Sequence, residues 1–128
     1  MEPSIENVKT IISYIPYFED NNNDIAVVIS MGKTSYIQYD ENFEQFIHEV
    51  YQSQILMPNY VEYLAFYEKY QDDYIPLIES ADFDTLRAIL TGYIEQEKIH
   101  EGLWRRAYEE DIFLYLLKAF KKLYDAQK

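Results

Sequence analysis

The chain has 128 residues, no cysteine and a net charge of −12, and 48% of it is hydrophobic and 17% aromatic. That size fits one domain, residues 1–128, burying roughly two-thirds of the surface its unfolded chain exposes, and the apolar content excludes a disordered chain. The missing thiols exclude disulfides, thiolate zinc sites, iron–sulfur clusters and cysteine nucleophiles.

Met1-Glu2-Pro3-Ser4 carries no basic stretch of the secretory kind. Ser4 is placed to cap a first helix, in which Ile5, Val8, Ile12 and Ile15 recur at helical spacing. Pro16 is expected to end it, because the residue before a proline is pushed out of the α region. Asn21-Asn22-Asn23 reads as a loop. Ile25 to Ile29 is short, β-branched and bounded by polar residues, which predicts a buried strand. Met31-Gly32-Lys33-Thr34 turns the chain, and Ser35 to Tyr39 alternates well enough to return as a second strand.

The next helix starts at Asp40 or Asn42, with Phe43, Phe46, Ile47, Val50 and Tyr51 in one apolar stripe. Ile55-Leu56-Met57 is ambiguous and leaves room for a third short strand. Asn59, with Glu62 three residues on, resembles a capping box and opens a helix to about Tyr70. Pro76 breaks the segment again. Asp82 caps a long helix that carries Phe83, Leu86, Leu90, Tyr93, Ile94 and Glu97 on one face. Gly102 interrupts it, and Trp104, Ala107, Tyr108, Ile112, Leu116, Phe120 and Leu123 continue as one kinked helix or two short ones. The expected class is α+β and helix-dominated, a small two- or three-stranded antiparallel sheet packed against four to six helices. The longest apolar run, Ile112 to Leu117, is far short of the roughly 20 residues that cross a bilayer, so a cytoplasmic protein without membrane contact is expected.

Charge is unevenly spread. Residues 1–80 hold three basic and fourteen acidic side chains, whereas residues 81–128 hold eight and nine. The first region repels phosphate backbones and anionic lipid, which argues against direct nucleic-acid binding even though Arg105, Arg106, Lys118, Lys121 and Lys122 form a local basic set. The acidity serves solubility or presents a face to a basic protein partner.

The fragments that resemble catalytic or metal motifs are incomplete. Gly32-Lys33-Thr34 ends like a P-loop, but Val27 stands where the first glycine belongs and a strand is expected to follow. Asp20, Asn22 and Asp24 match the opening of a calcium loop, but Ile25 replaces its glycine and Met31 its final carboxylate. His48-Glu49 lacks the second zincin histidine, since residue 52 is Gln52. Glu97-x-x-His100 is a single copy of a pair that di-iron bundles carry twice, and no Gly-x-Ser-x-Gly elbow occurs. No metal, no cofactor and no catalytic residue is expected.

Two constellations remain as candidate sites. On a helix, Tyr60, Tyr63, Tyr67, Tyr70 and Tyr74 fall within an arc of roughly 80°, opposite Glu62, Glu68, Lys69, Asp72 and Asp73. Such a stripe packs on a core with its hydroxyls at the edge, or it is a contact surface, for which Tyr63, Tyr67 and Tyr70 are the candidates. The second is the polar break Glu97-x-x-His100-Glu101-Gly102 with Trp104 after it, read either as a helix terminus or as a ligand site at His100, Glu101 and Trp104.

Tyr14-Ile15-Pro16-Tyr17-Phe18, Phe46 with Tyr51, Ala81-Asp82, Leu86-Arg87 with Leu90-Thr91, and Glu101-Gly102-Leu103 together resemble a family of small bacterial proteins of unknown function. The resemblance runs over nearly the whole chain and implies a bacterial single-domain protein without supplying an activity. Lys98-Ile99 stand where that family carries Arg-Phe, so an anion-binding role for that arginine does not carry over. Three functions stay open: a non-enzymatic binding or regulatory module with an acidic partner-facing surface, a small-molecule or weakly hydrolytic site near His100 and Glu101, and a homodimer built on the tyrosine stripe.

Overall fold

Eight α-helices and one β-hairpin make up the described part of the chain, residues 2–20 and 25–127 of a computed structural model. The Asn21-Asn22-Asn23 loop, and the Asn22 and Asp24 positions compared above with a calcium loop, lie outside the described residues. A 3-10 turn, Ile5–Val8, leads into α1 (Lys9–Ile12) and α2 (Ile15–Glu19). The hairpin is β1 (Ala26–Met31) and β2 (Thr34–Tyr39). Then come α3 (Glu41–Gln52), α4 (Tyr60–Leu64), a 3-10 segment Ala65–Tyr70, α5 (Ile75–Ile78), α6 (Phe83–Gln96), α7 (Leu103–Glu109) and α8 (Ile112–Ala126). The class is α+β and helix-dominated.

Pro16 and Pro76 begin helices rather than end them. The first helix stops at Ile12, and Pro16 sits in the first turn of α2, where a missing N–H leaves no bond unmade. Pro76 opens α5 in the same way. Acidic caps hold as read. The Asp40 carboxylate accepts from the Asn42 N–H at 3.1 Å and that of Asp82 from the Thr85 N–H at 2.8 Å. Asn59 precedes α4 but makes no capping bond through its side chain, and the α-helix it opens ends at Leu64 instead of Tyr70. The chain continues as 3-10 turns, with Tyr67 off helical geometry at φ −118° and ψ 27°.

The sheet has two strands among the described residues, running antiparallel from Ala26 opposite Tyr39 to Met31 opposite Thr34. Gly32, at φ +64°, takes the first position of the two-residue turn, a conformation that suits glycine. The expected burial of the first strand is not found. Ile25 and Ala26 are buried, but Val27 and Val28 are more than half exposed, because only the base of the hairpin reaches the core. Ile55-Leu56-Met57 forms no third strand. Its backbone is held by side chains of α6 instead: Met57 N–H donates to Thr91 Oγ1 at 2.9 Å, and Ile55 C=O accepts from Arg87 Nε at 2.8 Å. Arg87 is buried as a result.

Helix α8 is the axis of the fold and packs against α1, α2, α5, α6 and α7. Its Phe113, Leu116, Leu117 and Phe120 are fully buried. Around Phe113, the rings of Phe18, Phe43 and Phe46 close an aromatic core, with Phe18 and Phe46 at 4.8 Å between centroids. Tyr51, expected on the apolar stripe of α3, is exposed. The C-terminal run is two helices, broken at Asp111, whose φ is +60°. No helix among the described residues is long and apolar enough to cross a membrane.

Candidate functional site

The tyrosine stripe and the polar break face different surroundings. Tyr63 belongs to α4, whereas Tyr67 and Tyr70 lie in the 3-10 segment that follows it. Tyr63 and Tyr67 stack with centroids 6.0 Å apart, and the Tyr63 hydroxyl is 2.9 Å from Thr85 Oγ1. Tyr63, Tyr67 and Tyr70 are all partly buried, as are Tyr60 and Tyr74. Burial raises the Tyr63 phenol above its ordinary value.

At the polar break, Glu97 is a structural anchor. Its carboxylate accepts from the Tyr39 hydroxyl at 2.9 Å, the Gly102 N–H at 3.0 Å and the Trp104 backbone N–H at 2.8 Å. The Trp104 indole N–H donates to the Tyr93 carbonyl at 3.0 Å, and its ring packs beside Tyr39 and Phe43. Gly102, at φ +99°, lets the turn reverse into α7 with Ile37 3.5 Å from where a Cβ would stand. His100 and Glu101 are exposed on that turn. Trp104 thus serves the core side of the break, and His100 and Glu101 its open side.

His100 does face a cavity. A groove of about 570 Å³ runs between the α4 and 3-10 segment on one side and α6 on the other, and closes at the start of α7. Leu64, Ile89, Gly92 and Leu103 form its apolar floor, and Tyr60, Tyr74 and Tyr93 its aromatic walls. Glu68, Gln71, Gln96, His100 and Arg106 bring polar groups to its edge. Tyr74 and Tyr93 meet edge to face at 6.3 Å. Burial pushes both phenols up, Tyr93 to about 12. Neither hydroxyl has a hydrogen-bond partner among the described residues, and no side-chain polar atom there is both buried and unpaired. Both hydroxyls therefore reach solvent, and the groove is the opening their residues share.

The side chains of Glu68, Gln71 and His100 likewise make no hydrogen bond or ion pair among the described residues. Gln96 Nε2 donates to the Tyr60 hydroxyl at 2.9 Å, and Arg106 Nε lies 3.6 Å from Glu110 Oε2. Unpaired polar groups above an apolar, aromatic floor are the make-up of a small-ligand pocket, and the volume falls in the usual range of roughly 300–1,000 Å³. Among the described residues no three His, Asp or Glu side chains gather as a metal-binding group.

Of the candidates read from sequence, the structure brings His100 into this groove, with Tyr60 and Tyr74 of the wider stripe. Tyr63, Tyr67, Tyr70, Glu101 and Trp104 do not line it. The reading missed Tyr93, Gln96 and Glu68. A signal was present: Ile89, Tyr93, Gln96 and His100 recur at helical spacing and turn from apolar to polar, with a glycine, Gly92, beside them.

No curated protein and no solved structure matches the chain. A family model matches residues 3–126, nearly all of it. The partly buried Tyr17 and buried Phe18, the inward-facing Arg87 and Thr91, and Gly102 at the anchored turn all lie within that span, and the chain belongs to the family of unknown function DUF6508.

Proposed function

We propose that this protein is a non-enzymatic binding module whose working site is the groove between α4 and α6, and that it takes a small ligand there. One observation carries the reading: the hydroxyls of Tyr74 and Tyr93 open, beside Glu68, Gln71 and His100, above an apolar floor, and none of these side chains has a hydrogen-bond or ion-pair partner among the described residues. A nucleophile held by a base is not part of this set, so binding is favoured over hydrolysis. The test is a fragment screen by thermal shift on the native chain and on Leu64→Trp, which fills the floor. Ligands that raise Tm in the native chain and not in the variant support the groove. Ligands that act equally on both, or none at all, would overturn it. A bacterial origin and a cytoplasmic setting, implied by the reading of the sequence, belong to the same proposal.

A second reading, an acidic surface for a basic protein partner, draws on the ion pairs. Arg87, Lys98, Arg105, Arg106 and Lys121 are each paired with an acid of their own region. Glu41, Glu44, Glu62, Asp72 and Asp73 have no cationic partner among the described residues. If a captured partner docks on α3, reversing Glu41, Glu44 and Glu49 slows its association steeply at low salt and less at high salt. Unchanged rates at low salt dismiss this reading.

A further inference from the structure

We propose that the groove selects a small organic cation, an amine carried on an apolar or aromatic body; this rests on the groove being the working site. The charges at its edge point that way. Arg106 is already committed to Glu110 at 3.6 Å, whereas Glu68 has no counter-ion among the described residues. A ligand that covers Glu68 without supplying a positive charge strips water from a carboxylate and returns nothing, which is costly. An ammonium group restores the pairing.

The walls add to this. Tyr60, Tyr74 and Tyr93 arrive from three separate segments and bring three electron-rich rings to one opening. Ring faces attract cations, and the attraction grows as water is excluded. The free Tyr74 and Tyr93 hydroxyls can accept from an ammonium N–H. The surrounding field has the matching sign, since residues 1–80 carry fourteen acidic side chains against three basic ones and form one wall of the groove. A cleft with low-dielectric walls concentrates counter-ions of that sign. Among the described lining residues an anion would find one Lys or Arg side chain, Arg106, with Glu110 beside it.

The experiment is an NMR titration of the isotopically labelled full chain with three probes of similar shape: phenethylamine, the neutral 2-phenylethanol and the anionic 3-phenylpropanoate. The amine is expected to shift the Leu64, Gly92 and Gln96 amides saturably and to bind at least about fivefold tighter than the alcohol. The propanoate is expected to leave these amides unmoved. Glu68 is exposed, so Glu68→Gln keeps the fold. It should bring the amine down to the affinity of the alcohol and leave the alcohol unchanged. Equal binding of the anion and the amine, or an unchanged amine affinity in Glu68→Gln, overturns the proposal. If the alcohol and the amine shift the groove amides equally, the groove stands and its preference for cations falls. If no probe shifts them, both readings fall.

Discussion

The Tyr39 hydroxyl donates to Glu97 Oε2 at 2.9 Å, which ties the last residue of the hairpin to the turn that follows α6. The same carboxylate receives two backbone N–H groups, from Gly102 and Trp104, at the start of α7. One side chain therefore holds three elements, and its loss takes the acceptor from two backbone N–H groups. Glu97→Ala should cost about 2–3 kcal/mol in the denaturant midpoint, and Tyr39→Phe about 1 kcal/mol. The double variant should cost less than the two added together, because both act through one network. A loss below about 0.5 kcal/mol for Glu97→Ala would show that the turn does not depend on it.

Thr91 offers a second test. Its hydroxyl accepts from Met57 N–H at 2.9 Å and donates to the Arg87 carbonyl at 2.7 Å, in a buried setting. Thr91→Val keeps the shape and strands the Met57 N–H. The expected cost is about 1–3 kcal/mol by urea unfolding, with faster hydrogen exchange at Met57. Unchanged exchange there would mean that another group holds the segment.

These two cases show where sequence reading reaches its end. The stripes of α3 and α8 were legible because each helix buries one face, and Asp40 and Asp82 were legible as caps because capping is local; α6 is buried on every side from Thr85 to Thr91, more than its apolar stripe implies. The Ile55–Met57 segment was not, because it is held by side chains 32 and 34 residues away in sequence, not by a neighbouring strand. The hairpin was found but its burial was overestimated, since an apolar run does not itself bring a covering layer. His100 was legible as a polar residue at a break. The groove it faces was not, because residues 60–74 and 89–106 each look ordinary and become a site only where they meet.

Alkaline pH provides the third test. Burial, and then the hydrogen bonds to Asp40 and Glu97, raise the Tyr17 and Tyr39 phenols well above the ordinary value of 10.0, and burial raises Tyr93 to about 12. A phenol whose folded pKa lies above its unfolded one holds its proton more tightly in the native state. Its stabilisation is whole below pH 10 and is lost as pH rises from there through the folded value. Stability should be level up to about pH 10 and fall beyond it, and Tyr93→Phe should make the fall shallower up to about pH 12. Denaturant midpoints measured along that pH range check this; an unaltered slope in Tyr93→Phe would remove Tyr93 from the account.

The last prediction concerns Gly92, in the middle of α6 on the groove floor. Its backbone is helical, so the chain gains no special conformation from glycine there, and glycine inside a helix costs roughly 0.5–1 kcal/mol relative to alanine. A Cβ at this position would meet Leu64 Cδ1 at 3.6 Å and the Tyr60 ring at 3.7 Å, ordinary contact distances. Gly92→Ala should therefore raise stability by about 0.5–1 kcal/mol, read from the denaturant midpoint. The added methyl projects into the space a ligand would use, between Tyr60 and Leu64. If the groove is the working site, the more stable variant should bind phenethylamine severalfold more weakly, a trade of function for stability. A variant that gains stability and keeps its affinity would place the ligand elsewhere in the groove. One that loses stability would show that Tyr60 and Leu64 close more tightly over Gly92 than these distances allow.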